Sequence, residues 1–586
     1  MKLDNKKIYD ALILGAHNVM NQKELLNSIN VFPIQDNDTG NNLSAMMQSI
    51  IYKAKLGQTI DETLNSVAEA ALSGSRGNSG LIFSQYLYGL TKTFSTGDNT
   101  KNYQLRFQSA VQYAYDAISN PVEGTMITLM KRLSQLLSEQ MDTKRLENSL
   151  THIYENLKTT LDETTNSLEI LKKHQVVDAG ALGFMLFIEG FVQSILNQKS
   201  YELGISQKQV HPLHDHQTLS DHINNRYCME VLLKTFESKL HLTTLLNNLG
   251  DSLVIGKQDE LIRIHIHTNQ PDIIIEKVKP LGMILETKVD DMQKQYQAIH
   301  DDANDIAILT DSIADLPQSL IDDYPIYVFN VGLQLDDITY YDKQTIKHQK
   351  LLDIIKTSNE HPTSFTPSIK NLDERITNLL KYYKKLIIVT VSSKMSSMYQ
   401  LYTKVISSYP EENILLIDSK QNSVSEGLIV YELARQIKMG KTFEDIAKDY
   451  NELIKKTSIF VHVDTLDLMV KSGRIKKSLG WVAKVLRLKP IVSINKEGKG
   501  IVLAKNIGQK RNIKKIIHKA KNIHRTSGID TYAIAHVSNL KQAEQIKLEM
   551  IKITGKQPDY MSDVSSIIAM NSGKNSVAVG IIRKEL

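Results

Sequence analysis

The stretch NVFPIQDNDTGNNLSAMM, Asn30 to Met47, places two aspartates, Asp36 and Asp38, two residues apart on a segment that Pro33 and Gly40 bracket as a loop. Residues able to enter a helix follow at once. On an extended segment, side chains at i and i+2 point the same way, so both carboxylates can converge on one hard cation while a neighbouring hydroxyl or amide completes the oxygen shell. Asp-Asn-Asp-Thr-Gly is equally ordinary turn and helix-cap chemistry. The stretch alone leaves a magnesium site and a plain turn both open, and the rest of the chain has to decide.

Working outward, apolar residues recur at helical spacing from Lys6 to about Lys199. IDETLNSVAEAAL (Ile60 to Leu72), YQLRFQSAVQYAYDAIS (Tyr103 to Ser119) and TMITLMKRLSQLLSEQ (Thr125 to Gln140) all show it, and strand-type alternation is scarce. An all-α domain is expected over residues 1–200. Its helices are interrupted by four polar loops: FPIQDNDTGNN, SGSRGNSG (Ser73 to Gly80), NPVEGT (Asn120 to Thr125) and VVDAGALG (Val176 to Gly183). Free amides of the second loop, with Arg76, can hold phosphate oxygens at a helix N-terminus, or the run is a simple connector. Gly124 and Thr125 can face a nucleotide or cap the next helix. Asp178 can touch a ribose or a second cation, or serve as an N-cap.

In this order the four loops resemble the nucleotide-binding (DhaL-like) subunit of dihydroxyacetone kinase, and more closely the ATP-binding subunit of bacterial fatty acid kinase. The resemblance implies an eight-helix barrel with ATP at its mouth and two magnesium ions on the first loop. By position the metal ligands are Asp36 and Asp38, which carry the catalytic role. Cofactor contacts fall to Thr39, Asn41, Ser75, Arg76, Gly77, Asn78, Ser79, Gly124, Thr125 and Asp178. Asn37 stands where that family usually has Gly; Asn tolerates a left-handed backbone well, so the departure is mild.

Composition bounds the rest. A chain of 586 residues calls for several domains, and 41% hydrophobic with 23% charged residues fits a packed protein rather than a disordered one. The net charge is +5, but 70 Lys and Arg are interleaved with 65 Asp and Glu, which gives no case for nucleic acid. The single cysteine, Cys228, excludes an intrachain disulfide framework. No signal peptide is recognisable near Met1, and no apolar run reaches the ~18 residues of a spanning helix. A cytoplasmic location without a transmembrane segment is expected.

Residues 199 to about 221 read as a linker, and their histidines, His211, His214 and His216, as part of a solvated connector rather than ligands. A small α/β domain is expected over 217–300. In LIRIHIHTN, alternation puts His265 and His267 on one strand face. With Cys228 from another strand they form a plausible zinc set, against the alternative of two half-exposed histidines. The segment resembles the middle domain of the ATP-binding protein of fatty acid kinase, whose Tyr-Cys and His-x-His motifs stand at these places. That resemblance implies a structural or regulatory zinc, with its fourth ligand unassigned.

Beyond Asp301 the texture becomes strand alternating with helix, which predicts α/β architecture with parallel strands in its first portion. Strands run into hydroxyl-rich loops at Thr310 to Pro317, Val391 to Gln400 and Ile417 to Gly427, and such loops gather at the carboxyl ends of strands, where ligands bind in open α/β sheets. Hydroxyls and helix-start amides suit a carboxylate. No nucleophile elbow or P-loop occurs. TDSIADLP, PTSFTPS (Pro362 to Ser368), SSKMSSMYQ, IDSKQNS and the long run from Asp464 to Lys499 together resemble the DegV family of fatty-acid-binding proteins, over 304–586. This implies a two-lobed α/β half that buries an acyl chain, its head group held by Ser396, by Thr363 or Ser364, and by Arg474. At the position where that family usually has a His before Thr-Gly-Pro-Gly, this chain has Asn571. Asn can hydrogen-bond a carboxylate but carries no charge. The basic set Arg474, Lys476, Lys477 and Lys484 reads as a solvated face.

The expected function is ATP-dependent phosphorylation of a long-chain fatty acid to an acyl phosphate, the substrate being held by the chain's own DegV-like half. Expected partners include acyl-phosphate-accepting enzymes and a second copy in a homodimer. The alternatives are a non-catalytic lipid-binding regulator and a kinase of a small polyol or ketone such as dihydroxyacetone.

Overall fold

The helical spacing of the first third produces ten helical segments among the described residues: α1(Asn5–Asn21), α2(Lys23–Ser28), α3(Thr39–Lys53), α4(Ile60–Gly74), α5(Gly77–Gly89), α6(Asn99–Asp116), α7(Met126–Gln140), α8(Leu146–Thr164), α9(Glu169–His174) and α10(Ala179–Leu196). Only α2 and α9 are as short as six residues. The structure is a computed structural model that describes residues 4–32, 37–92, 99–140, 146–196, 223–236, 241–301, 304–357, 361–475, 489–506 and 508–585. It divides into two units, Met1–Tyr296 and Gln297–Leu586.

Caps start these helices where the sequence supplies them. Asp4 accepts from the Lys7 amide at 2.8 Å, and Thr59 from that of Glu62 at 3.1 Å, each satisfying an otherwise orphaned helix-start donor. Helix α10 is apolar on nearly all sides, and it passes the length and composition test for a membrane span. It is 78% buried in the unit, however, so it is the central helix of a core. Phe184 and Phe187 on it meet Phe83 edge to face, with ring centroids 5.3 and 5.1 Å apart.

The same unit continues into a four-stranded antiparallel sheet of order β2-β3-β1-β4, with β1(Tyr227–Thr235), β2(Asp251–Gln258), β3(Leu261–Thr268) and β4(Gly282–Asp291). Register pairs Cys228 with His267 and Glu230 with His265. Period-two alternation therefore makes two unlike faces. Met229, Val231, Ile262, Ile264 and Ile266 share the apolar one; Cys228, Glu230, Arg263, His265 and His267 share the polar one, and the last four of these are buried. The polar face packs on the helical region: Arg263 donates from Nε to the Leu72 carbonyl at 3.1 Å and from Nη2 to that of Ser73 at 2.9 Å, at the end of α4.

In the second unit β5(Ile306–Asp311), β6(Ile326–Phe329), β10(Lys385–Thr390) and β11(Ile414–Asp418) form a wholly parallel sheet of order β11-β10-β5-β6. Between β6 and β10, the short strands β7(Gly332–Leu335), β8(Ile338–Tyr341) and β9(Thr363–Phe365) make a separate antiparallel sheet of order β8-β7-β9. A third sheet has the order β14-β13-β12-β17-β15-β16, built from β12(Thr457–His462), β13(Lys489–Ile494), β14(Gly500–Asn506), β15(Ile529–His536), β16(Tyr560–Asp563) and β17(Val577–Arg583). Its pairings are antiparallel except β15 with β16. The helix Ser423–Lys438 is buried through most of its length in a core that joins the parallel sheet to the third one.

Gly427 on that helix has no room for a side chain: an added Cβ would lie 2.2 Å from the Ala314 carbonyl oxygen and 2.3 Å from the Tyr560 hydroxyl. Backbone cannot give way as a flexible side chain would. Gly427→Ala is expected to destabilise the second unit by about 1–3 kcal/mol, read by calorimetry. An unchanged transition would show that the helix does not pack this closely.

Candidate active site

Three of the four polar loops of the helical region, the first, second and fourth, are linked by close contacts. Asp36 lies outside the described residues. Asn37 is left-handed, φ +54°, as its place in the family's Gly position requires. Asp38 precedes α3, and its carbonyl accepts from the Asn42 amide at 2.8 Å. Thr39 is buried and donates to Asn30 Oδ1 at 2.8 Å; the Asn41 amide donates to Asn27 Oδ1 at 3.1 Å. The side chain of Asn42, on the next turn, lies against Gly77: a Cβ there would fall 2.3 Å from Asn42 Nδ2. First and second loops are thus in contact. The second and fourth loops join at Gly180, where a Cβ would lie 3.3 Å from both Ser79 Oγ and Asp178 Oδ1, and 3.2 Å from Cε of Met126, the first residue of α7.

Asp178 is buried, and its Oδ1 accepts from the Ala181 amide at 2.7 Å, which makes it the cap of α10. Burial pushes its pKa up to about 6, against the pull of the Ala181 and Met126 amides. Asn78 Oδ1 is buried with no hydrogen-bond partner. Ser79 Oγ and Asp178 Oδ1 flank Gly180 together, and oxygen donors of this kind suit a hard cation.

Five of the sequence-derived contacts face elsewhere. Ser75 is fully buried and bonds the Leu72 carbonyl at 2.9 Å, closing α4. Thr125 bonds the Val122 carbonyl at 2.8 Å, and the Gly124 amide is taken by Thr128 Oγ1 at 2.8 Å. Arg76 does not point at a phosphate position: its Nη1 donates to Glu230 at 3.0 Å and its Nη2 to Glu286 at 2.6 Å. Gly77, φ +58°, gives its amide to Glu230 Oε1 at 2.6 Å. These groups are committed to the sheet because its polar face carries the opposite charge.

On that face Cys228, His265 and His267 offer ligand atoms that all lie within 4.8 Å of one another. Both histidines are buried, so the half-exposed alternative does not hold. His265 Nε2 has no hydrogen-bond partner. Burial raises the Cys228 thiol well above its ordinary range and lowers His267, whose neutral form is the one that binds metal. Asp38 acts electrostatically on both Cys228 and His267, so the aspartate loop and the cluster are neighbours. Three soft or borderline donors fit zinc. His211, His214 and His216 lie outside the described residues.

The second unit holds a cavity of about 210 Å³ walled by apolar groups such as Ile313, Val461, Met469, Val492 and Ile567. Ser364, Thr366, Ser396, Arg474 and Asn571 add polar atoms to its lining. Thr363 is exposed and is not among its lining residues, whereas Ser364, Phe365 and Thr366 are. Thr366 escaped the sequence reading. Arg474 donates to the Ser472 carbonyl, and burial pulls its guanidinium pKa down. Lys476, Lys477 and Lys484 lie outside the described residues.

Loops of this kind on a helical region, joined to a Cys/His-bearing sheet and a two-lobed half with an apolar cavity, define a multidomain chain of kinase type. Family models match three consecutive stretches: the DAK2 domain over residues 33–193, the fatty acid kinase A-like middle domain over 224–299, and the uncharacterised DegV family over 305–584. The chain is a fusion of a DAK2 domain and a fatty acid kinase A-like middle domain with a DegV-family domain. An uncharacterized protein of Staphylococcus haemolyticus is 30% identical over 315 residues, 51% of this chain and 57% of that one. One from Staphylococcus aureus strain USA300 is 30% identical over 314 residues with the same coverage. The chain thus matches little more than half the length of these relatives. Among solved structures, a fatty acid binding DegV family protein from Streptococcus agalactiae is 26% identical, with 48% of this chain and 99% of that one covered and a TM-score of 0.43. DegV, a fatty acid binding protein from Bacillus subtilis, is 22% identical, with 48% and 100% covered and a TM-score of 0.43.

The Asp178 carboxyl carries a pH signature. Its folded pKa lies above the unfolded 3.8, so between about pH 4 and 6 the unfolded chain releases a proton that the folded one keeps. Stability from this group is complete below that window and falls as pH rises through it, by roughly 2–3 kcal/mol. Chemical denaturation of wild type and Asp178→Asn across pH 4–7 is expected to show that part of the fall missing in the variant; parallel pH profiles would refute it.

Proposed function

We propose that the chain is a self-contained fatty acid kinase, cytoplasmic, in which the helical region takes ATP and the DegV-like half takes a long-chain fatty acid. The observation that carries this reading is the contact of the second loop with the first, at Gly77 and Asn42, and with the fourth, at Ser79 and Asp178, in a chain whose other half encloses an apolar cavity lined in part by hydroxyls. Asp36 and Asp38 would hold magnesium, which when bound neutralises phosphate charge. Ser79 and Asn78 orient the phosphates. In the second unit, Ser364, Ser396 and Arg474 hold the acyl head group while the apolar wall takes the chain. The substrate carboxylate is already ionised at pH 7, so no general base is needed. Its oxygen bonds to the γ-phosphorus, the bond to the β-phosphate oxygen breaks, and ADP leaves with the electron pair. A tether between the halves supplies an effective concentration in the mM range. Cys228, His265 and His267 would hold a zinc of structural role. The product, an acyl phosphate, suits an acyl-accepting partner enzyme.

A non-catalytic lipid-binding role is favoured by one observation. Asn571 spends Nδ2 on the Ile567 carbonyl at 2.6 Å, and its Oδ1 is buried without a partner, where the family's usual His would offer a cation. One assay separates the readings. Protein incubated with ATP, magnesium, a long-chain fatty acid and hydroxylamine is expected to yield acyl hydroxamate. Asp38→Ala should cut that rate by about 100-fold or more with fatty acid binding unchanged. Fatty acid bound without hydroxamate from wild type would leave the binding role standing. As a separate measurement, elemental analysis should find zinc in wild type and none in Cys228→Ser with His267→Ala; equal metal content would remove the zinc assignment.

A further inference from the structure

We infer that the sheet following the helical region acts as a strut that sets the second loop for phosphate binding, with Arg76, Glu230, Arg263 and Glu286 as its positioning residues. The inference rests on the nucleotide reading above and names how that site is held.

The geometry is a closed ring of charge. Arg76 bridges Glu230 at 3.0 Å and Glu286 at 2.6 Å. Arg263 faces the same two carboxylates, Glu286 at 3.1 Å and Glu230 at 3.6 Å. The loop enters this ring through backbone as well: Arg263 takes the carbonyls of Leu72 and Ser73, and Glu230 takes the amide of Gly77. Both ends of the turn from α4 to α5 are therefore fixed by side chains of β1, β3 and β4, at separations of 153 to 210 residues. Arg263 and Glu230 are almost wholly buried, and in a water-poor setting such pairs accept little displacement. What the ring leaves uncommitted on the loop is the Asn78 Oδ1, which is buried without a hydrogen-bond partner beside Ser79, the residue that reaches Gly180 and the Asp178 loop. Arg76 and Gly77 thus bind no phosphate; they anchor the residues that do. Glu230 also stands 3.8 Å from His265 Nδ1, so one carboxylate touches both the loop and the Cys/His cluster.

A second role for Glu230 at the same amide makes the opposite forecast. If its carboxylate merely occupied the α5 N-terminus in place of phosphate, removing its partners would free the amide and tighten nucleotide binding. Full-length wild type, Arg76→Met, Arg76→Lys and Glu286→Gln would be compared for binding of magnesium with a non-hydrolysable ATP analogue by calorimetry, and for hydrogen exchange of amides 73–80 without nucleotide. Arg76 and Glu286 are partly exposed, and circular dichroism with thermal unfolding of each variant checks that it folds. The strut predicts faster exchange and a dissociation constant raised about tenfold in Arg76→Met and Glu286→Gln, partial recovery in Arg76→Lys, and unchanged zinc content in Glu286→Gln. Unchanged exchange with unchanged affinity, or tighter binding, overturns the strut while leaving the nucleotide site intact. No binding of the analogue by wild type overturns the nucleotide reading and this inference with it.

Discussion

A guanidinium at 1% exposure, that of Arg263, sits at the junction of the helical region and the following sheet. Taking such an ion out of water costs on the order of several kcal/mol, and only close, well-placed acceptors offset it. The surroundings supply them: two helix-end carbonyls and the carboxylates of Glu230 and Glu286. Glu230 is held ionised, well below the usual carboxylate range: burial works against this, but His265, Lys288 and Arg76 outweigh it. The consequence is geometric. An apolar interface tolerates sliding at small cost, whereas a buried ring of charge is satisfied in one arrangement only. The sheet cannot shift on α4 and α5 without stranding an ion, so the loop between those helices inherits the sheet's rigidity.

The second unit uses a related device in which carboxyls predominate, with Lys343 as the ion-pair partner of Asp315 at 3.6 Å. Asp311, Asp315 and Asp342 are fully buried and cross-link segments far apart in sequence. Asp311 accepts from the Val391 and Ile313 amides, Asp315 from Ser423 Oγ and the Ser565 amide, and Asp342 from Ser312 Oγ and the Ser566 amide. Burial raises all three, Asp311 to about 7 and Asp315 to about 6. Three loop segments that line or flank the cavity are pinned by them to two different sheets. A cavity wall built from strand-end loops is thereby as fixed as one built from strands.

Helices and buried parallel strands were legible in the sequence because each needs one face or both out of water, and the spacing records it. The alternation through LIRIHIHTN likewise placed His265 and His267 together. Strand β4, GMILETKVDD, was not legible: Glu286, Lys288 and Asp290 lie on its polar face, so its alternation reads as surface although part of that face is packed on other protein. The short strands β7, β8 and β9 left too few residues for any period to show. The candidate site was legible as a set of loops and illegible in its division of labour. Arg76 beside glycines reads as an anion ligand; that its charge is spent on Glu230 and Glu286 depends on partners 154 and 210 residues away, which no local pattern carries.

The choice between Thr363 and Ser364 shows how little geometry is needed to resolve what composition leaves open. Two hydroxyls in adjacent positions are chemically interchangeable, but here Ser364 lines the cavity and Thr363 is exposed. Asn571 is the converse case, where geometry alters the chemistry. The Ile567 carbonyl can only accept, so it fixes which end of the Asn571 amide faces it, and the atom left buried without a partner is an acceptor. A carboxylate has no hydrogen to give that atom. Under the proposed function, the only cationic side chain among the described residues that line the cavity is then Arg474, assisted by the Ser364 and Ser396 hydroxyls, and an ionised head group held by fewer charges keeps more of its nucleophilicity for attack on phosphorus.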